Sequence, residues 1–245
     1  GFEVGTGPLP LTYTVIELTL ATPSGETRTL WTHLRIRPDV FDISGGWVKP
    51  VTSEIYLKTL KLFQVNTAHR QITPGYSDTP LYDKYPLKYF GCMQPLEAYD
   101  TDAMLPKVHA VECLGEPQYG GGKPVPPQEV WEKLHAYAGS RLATTVTHSE
   151  ERVWRDYAGA CDFPHFDAYR VTAPSADAWY KYDRWGGKHI GWGAPLETIG
   201  DMCRSMRELN RPLPCAIWSQ GASDGWGMYA SRRRRAPTPD EIRLQ

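Results

Sequence analysis

The 245-residue chain has an ordinary globular composition and almost no net charge, with 27 Lys and Arg against 28 Asp and Glu residues. This balance gives no reason to expect nucleic acid or an anionic membrane as a partner. No stretch approaches the ~20 apolar residues of a membrane-spanning helix, so the sequence predicts no membrane partner. The length is sufficient for one large α/β barrel or two small domains.

Aromatic and cysteine residues narrow the function classes further. There are nine Trp and fourteen Tyr but only six Phe, and rings with a polar tip suit a sugar-binding cleft, although they also fill cores. The cysteines are odd in number and lack CxxC or CxxH spacing, which predicts buried free thiols and no cysteine-held metal site. The sequence has no GxGxxG or P-loop motif, so no cofactor is expected. The compartment and the oligomeric state are left open, because free thiols allow the cytoplasm while a secreted or periplasmic location also fits. These cysteines are Cys92, Cys113, Cys161, Cys203 and Cys215.

The first element in chain order is a predicted β-hairpin. Residues 13–21 and 27–37 alternate between apolar and polar side chains, and the turn signal TPSGE joins them. The interpretation is that residues 1–41 are either the end of a β-rich, sandwich-like domain or a β-hairpin.

From residue 42 the pattern changes to short apolar strands that alternate with amphipathic helices, which is typical of parallel βα units. Seven strands are predicted, at 41–47, 63–69, 87–93, 108–114, 142–148, 166–172 and 214–220. Helices are predicted at 52–63, 126–140, 149–160 and 195–209, and a further helix begins after Thr238. The predicted fold class is therefore α/β: a (β/α)8 TIM barrel over residues 42–245, incomplete because strand eight is missing, in a fragment of a longer protein.

Polar and aromatic residues cluster where the predicted strands end, and these carboxyl ends carry the function of a parallel barrel. Long loops follow strands two and six, and the second of them adds an aromatic wall that includes Trp185 and Trp192; such rings also pack loops onto a barrel rim. The other candidate binding residues are Asn66, His69, Tyr119, His148, Arg170, Trp218, Gln220 and Trp226.

Four short motifs carry a family resemblance. Strand four runs into GEP, strand six contains FDAYR, strand seven runs into WSQG, and a helix opens with PTPDE. Together they resemble glycoside-hydrolase (β/α)8 barrels that place an acid/base glutamate after strand four in an N-E-P or D-E-P motif. The resemblance implies a carbohydrate substrate and assigns the acid/base role to Glu116.

This sequence departs from the family pattern at two places. Gly115 stands where the family has Asn, and Ser219–Gln220 stand near the family's strand-seven glutamate nucleophile. Glycoside hydrolysis needs a second carboxyl group, ~5–5.5 Å from the first in a retaining enzyme and ~6.5–9.5 Å in an inverting one. The candidates for it are Asp224, Glu150 and Asp167.

Purely structural roles are alternatives to these catalytic roles. Glu112 lies mid-strand and is expected to be a buried structural group, and Asp167 would be one too if it pairs with a cation deep in the barrel. Three functions stay open: a glycoside hydrolase, a carbohydrate-binding pseudoenzyme without the strand-seven carboxylate, and a metal-dependent barrel hydrolase. The last would use His69, His148 and His165.

Overall fold

The structure is a computed structural model. It describes residues 3, 5–10, 13–37, 44–45, 53–72, 79–99, 105–118, 123–149, 151–167, 196–221, 228–229, 232–233 and 236–245, with no side-chain description for a few of them. All structural statements below concern these residues.

The predicted hairpin is confirmed. β1 (Tyr13–Ala21) pairs antiparallel with β2 (Thr27–Arg35) in register from Tyr13↔Arg35 to Ala21↔Thr27. Gly25 occupies the turn at φ 89°, which side chains with a Cβ rarely adopt. The N–H of Gly25 donates to the carbonyl of Thr22 at 3.0 Å, which closes the turn.

Seven strands form one sheet, and their order in it follows the chain without a reversal. The pairs β3–β4, β4–β5, β5–β6 and β8–β9 are parallel. Parallel neighbours in unbroken chain order fit an incomplete (β/α) barrel, because a doubly wound sheet reverses its strand order. The strands are β3 (Ser44–Gly45), β4 (Thr67–Ile72), β5 (Lys88–Cys92), β6 (Val108–Gly115), β7 (Ala143–His148), β8 (Phe163–Asp167) and β9 (Ala216–Trp218).

The bounds of strand two correct the prediction. β4 begins at Thr67, not at residue 63. The preceding segment instead ends a helix: Gln64 has φ 58°, its N–H donates to Lys61 O, and the N–H of Val65 donates to Leu60 O. This pair of bonds around a left-handed residue is a Schellman helix end.

Strand six is also displaced. The prediction began at residue 166, whereas β8 begins at Phe163 and includes Pro164. Proline is rare in central strands because it lacks an N–H for the ladder, so a strand that includes Pro164 is not expected from local patterns. Residues 168–195 lie outside the described part of the chain.

The helices follow the prediction with one change of type and one omission. Residues 151–157 form a 3-10 helix (Glu151–Tyr157) rather than an α-helix; three residues per turn put the buried Trp154 and Tyr157 on one face. Helix α2 was predicted as loop. The α-helices are α1 (Ser53–Leu62), α2 (Thr79–Lys84), α3 (Pro127–His135), α4 (Thr198–Asn210) and α5 (Pro239–Leu244). Two further 3-10 helices span Leu96–Tyr99 and Leu105–Lys107. The two-residue strands β10 (Met228–Tyr229) and β11 (Arg232–Arg233) pair antiparallel.

The chain divides into two compact units, one of Gly1–Cys113 with Glu132–Thr145 and one of Leu114–Trp131 with Val146–Gln245. Each has its own core. The first packs α1 and α2 with Tyr89 and Val111 of the sheet. The second packs α4 against Trp154 and Phe166. The cysteine prediction is met at Cys161, a buried free thiol, whereas the free thiols Cys203 and Cys215 are half-buried.

Candidate functional site

Glu116 follows directly after β6 and has an unusual backbone. Its φ is 52°, in the left-handed region that costs a residue with a Cβ ~1–2 kcal/mol. Its N–H donates a 2.7 Å hydrogen bond to the carbonyl of Thr147 in β7. The side-chain atom Oε1 is shielded from solvent, while the residue as a whole is half-buried. The sequence placed Glu116 at the end of strand four, and the structure puts it there.

The two residues after Glu116, Pro117 and Gln118, also make hydrogen bonds. The N–H of Val125 donates to the carbonyl of Pro117 at 2.9 Å. The side-chain amide of Gln118 reaches two partners: Nε2 contacts Nδ1 of His148, and Oε1 accepts from the N–H of Ser149 at 3.4 Å. The strand-four end is thus tied to the end of β7 and to the loop that follows.

His148, the last residue of β7, packs against the 3-10 helix Glu151–Tyr157. Its side chain is 2% exposed, and its ring meets the Tyr157 ring edge-on at 6.3 Å. Burial, followed by the charge of His165, lowers the pKa of His148 to about 3, so the ring is neutral in ordinary buffers. The side chain is buried in this structure, and substrate contact by His148, expected from the sequence, stays a prediction. Successive strand residues face opposite sides, and here Thr147 extends toward Trp218 while His148 packs against the 3-10 helix.

Asp167 is the last described residue of β8 and is 4% exposed, with Oδ1 shielded from solvent. Phe166 packs against Trp154 with ring centroids 5.2 Å apart, so alternation places Asp167 on the opposite strand face. In a barrel the face away from the helices lines the interior. The register partner of Asp167 in β9 is Trp218.

Trp218 links three strands. Its Nε1–H donates to Oγ1 of Thr147 at 3.3 Å, and its ring stands perpendicular to that of His165 with centroids 5.3 Å apart. The ring of Phe163 continues the row, 4.6 Å from His165. Thr147, His165 and Trp218 therefore join β7, β8 and β9 on one side of the sheet.

The segment after β9 is held by a residue that sequence reasoning missed. Oε1 of Gln245 accepts from the Ser219 hydroxyl at 2.9 Å and from the Gln220 N–H at 2.8 Å, and its Nε2 donates to Gln220 O at 3.1 Å. Gln245 follows α5, whose capping box of Thr238 and Glu241 was partly foreseen through the cap and the acidic first turn. Gln220 is 7% exposed.

Two predicted binding residues do not lie at a strand's carboxyl end. Asn66 precedes β4 and is therefore at the amino end of its strand, and His69 lies within β4, with a side chain outside the described set. The cause is the misplaced boundary of strand two. The remaining candidates lie outside the described residues: Glu150, Asp224, Tyr119, Arg170, Trp185, Trp192 and Trp226.

Over the described ranges, no three or more His, Cys, Asp or Glu side chains come together as metal ligands. Within the same ranges, no helix is long and apolar enough to span a membrane. Glu112 is buried in β6, as expected of a structural group.

Comparison with known proteins returns no match to any protein-family model and none to a curated protein. Solved structures give partial similarity. A glycoside hydrolase family 17 β-1,3-glucanosyltransferase from Rhizomucor miehei is 10% identical, with a TM-score of 0.44 over 69% of this chain and 65% of that chain. An active-site mutant of the Rhizomucor miehei β-1,3-glucanosyltransferase in complex with laminaritriose is 11% identical, with a TM-score of 0.47 over 74% of this chain and 69% of that chain.

A third structure, a β-D-glucuronidase of Dictyoglomus thermophilum, is 11% identical, with a TM-score of 0.44 over 91% of this chain and 45% of that chain. The chain thus spans less than two thirds of the first and third of these proteins. At TM-scores below 0.5, these similarities assign neither a family nor an activity to the chain.

Proposed function

We propose that the chain is a glycoside hydrolase-like enzyme that cleaves a poly- or oligosaccharide by carboxylate acid/base catalysis, with Glu116 as the general acid. The observation that carries the proposal is the strained backbone of Glu116 at the carboxyl end of β6. A φ of 52° in a residue with a side chain is maintained only where its surroundings enforce it, and such residues concentrate at active sites.

The position supports the same role. Carboxyl ends of barrel strands are where catalytic residues collect. Glu116 combines this position with a side-chain oxygen shielded from water. A carboxyl group that donates a proton to a leaving oxygen works best where water does not compete for it.

Asp167 is the described carboxylate best placed to be its partner. β7 alone separates β6 from β8 in the sheet, and neighbouring strands lie ~4.8 Å apart, so the two strands are ~10 Å apart. That backbone spacing is close to the ~6.5–9.5 Å carboxyl separation of an inverting enzyme, and the ~5–5.5 Å of a retaining enzyme would require the two side chains to extend toward each other. Glu150 and Asp224 stay alternatives.

The test uses leaving groups of different acidity. Glu116→Gln should lower kcat ~10²–10⁴-fold on oligosaccharides, whose leaving oxygen needs a proton. It should affect dinitrophenyl glycosides far less, because dinitrophenolate leaves without one. Asp167→Asn should impair both substrate classes if Asp167 is the nucleophile or base. Glu208→Gln, on the exposed surface of α4, is the matched control. Equal activity of Glu116→Gln and wild type on oligosaccharides would exclude the acid role.

A carbohydrate-binding protein without catalysis is the second candidate. It is favoured by the end of β9, where Trp218, Ser219 and Gln220 offer no carboxylate and the buried Gln220 donates its backbone N–H to the Gln245 amide. Wild-type protein that binds oligosaccharides in calorimetry yet cleaves no dinitrophenyl glycoside would support this candidate over the first. Activity abolished by a chelator and restored by a divalent metal would instead support the metal-dependent hydrolase.

A further inference from the structure

We propose that Gln118 and His148 are positioning residues that hold Glu116 in its working conformation, an inference that rests on the proposed acid role of Glu116. Neither residue needs to touch substrate. Their contact joins the segment that carries Glu116 to the buried end of β7.

The backbone shows why such a fixed point would matter. Glu116, Pro117 and Gln118 are consecutive, and each is anchored: the first to Thr147 O, the second to the Val125 N–H, and the third through its side chain. Pro117 lies between the glutamate and the glutamine, and its ring fixes φ near −65°. Fewer backbone torsions are therefore free to absorb a displacement of Gln118 before it reaches Glu116.

The direction of the Gln118 contact defines the state of the histidine. Gln118 Oε1 faces the N–H of Ser149, so the amide nitrogen Nε2 faces Nδ1 of His148. This nitrogen can only donate a hydrogen bond. Nδ1 must then accept, so the ring is the neutral tautomer with its proton on Nε2. Burial, with a smaller contribution from His165, keeps the ring neutral because it lowers the pKa of His148 to about 3.

Tyr157 contacts both His148 and the segment that holds Pro117. Its ring contacts the His148 ring, and its hydroxyl donates a 2.6 Å hydrogen bond to the carbonyl of Val125. Val125 in turn donates to Pro117. Tyr157 therefore contacts both His148 and Val125, and Val125 is the residue that holds Pro117 next to Glu116.

The competing explanation is that His148 only fills space, and two variants separate it from positioning. His148→Phe keeps the ring volume and the contact with Tyr157 but loses the Nδ1 acceptor. His148→Asn loses most of the ring but puts Oδ1 where Nδ1 was. Positioning predicts that His148→Phe lowers kcat on oligosaccharides by ~10–100-fold with KM changed little, and that His148→Asn stays closer to wild type. Space-filling predicts the reverse order.

Gln118→Met provides a check from the other side of the contact. It keeps the chain length and removes the amide, so it should match His148→Phe in kcat, and the double variant should be no worse than either single variant. Thermal unfolding of each variant establishes that it is folded at the assay temperature. Additive losses in the double variant, or wild-type kcat in His148→Phe, would overturn the proposal.

A readout without catalysis separates this proposal from the proposed function. The ¹³C carboxyl signal of Glu116, assigned by its absence in Glu116→Gln, is titrated by NMR in each variant. Positioning predicts a midpoint shifted by about 0.5 pH unit or more in His148→Phe and Gln118→Met and retained in His148→Asn. If wild type cleaves no substrate but these shifts occur, the acid role fails and the positioning stands. If wild type is active but the midpoint and kcat do not respond, the positioning fails alone.

Discussion

The backbone N–H of Glu116 donates a 2.7 Å hydrogen bond to the carbonyl of Thr147, and this bond ties the residue after β6 to the neighbouring strand β7. Glu116 adopts φ 52° in that arrangement. The same Thr147 accepts from the indole of Trp218 through its hydroxyl. One threonine thus holds both the candidate acid's backbone and the aromatic residue at the end of β9.

Relief of the backbone strain at Glu116 is the first prediction. Glu116→Ala and Glu116→Gly lose the same side-chain contacts beyond Cβ, but only alanine must still adopt φ 52°. We expect the glycine variant to be more stable than the alanine variant by about 1 kcal/mol in urea unfolding, because the left-handed penalty of ~1–2 kcal/mol exceeds the entropic cost of glycine. Both variants should lack oligosaccharide hydrolysis.

Gln64 is the matched control for that comparison, because it is the other described non-glycine residue with positive φ, at 58°. It ends α1, in a helix-terminating motif that favours glycine. Gln64→Gly should therefore exceed Gln64→Ala in stability by a similar amount, with hydrolysis retained in both. An alanine variant at Glu116 as stable as the glycine variant would mean that the backbone there is not strained.

The stability of the protein should depend on pH through His148. Its pKa is lowered from 6.5 to about 3 in the folded state, first by burial and then by His165. Between these values the unfolded chain binds a proton that the folded chain does not. The contribution is therefore fully present above pH 6.5 and is lost as the pH falls toward 3, at about 1.4 kcal/mol per pH unit.

Urea unfolding of wild type and His148→Phe at pH 6, 5 and 4 measures this contribution. The difference between their unfolding free energies should change by about 2–3 kcal/mol from pH 6 to pH 4, with wild type losing more. Parallel pH profiles would show that the histidine is protonated in the folded state or exposed to water.

Local patterns predicted the elements whose signals are local. Alternation and the TPSGE turn predict the hairpin, and cap residues predict α5. The failures come from two residues that break a local rule under tertiary packing. Gln64 ends α1 in a conformation usually given to glycine, and Pro164 lies inside β8. Each moved a strand boundary, and the first of them misplaced Asn66 and His69.

The candidate site, like the fold, is only partly predictable from the sequence. Glu116 is predictable because its position after strand four depends on chain order and a short motif. The hydrogen bond to Thr147 and the burial of His148 are not predictable, because they depend on which face of β7 each residue takes and on the 3-10 helix packed behind it. The sequence assigns His148 to the substrate because it ends strand five, and chain order alone does not say which face of that strand a residue takes.

The third prediction concerns the Trp218–Thr147 hydrogen bond. Trp218→Phe removes the donor and keeps an aromatic ring against His165, and Thr147→Val removes the acceptor with little change in shape. A double-mutant cycle on the free energy of unfolding should give a coupling of about 0.5–1.5 kcal/mol. A coupling within error of zero would mean that the 3.3 Å contact contributes no stability.

The last prediction concerns the three hydrogen bonds that Gln245 makes to Ser219 and Gln220. Gln245→Ala removes them all, and the backbone amide of Gln220 loses its acceptor. We expect hydrogen–deuterium exchange at that amide to become about 10-fold faster, which corresponds to about 1.4 kcal/mol of local opening.

Gln245→Glu refines the test because it is nearly isosteric. The carboxylate can still accept from the Ser219 hydroxyl and the Gln220 N–H, but it has no donor for Gln220 O and places a negative oxygen beside that carbonyl. Exchange at Gln220 should therefore lie between those of wild type and Gln245→Ala. Ser219→Ala, which removes one of the three bonds and leaves both bonds to the Gln220 backbone, should stay near wild type. Equal exchange in all four proteins would show that Gln245 does not hold the end of β9.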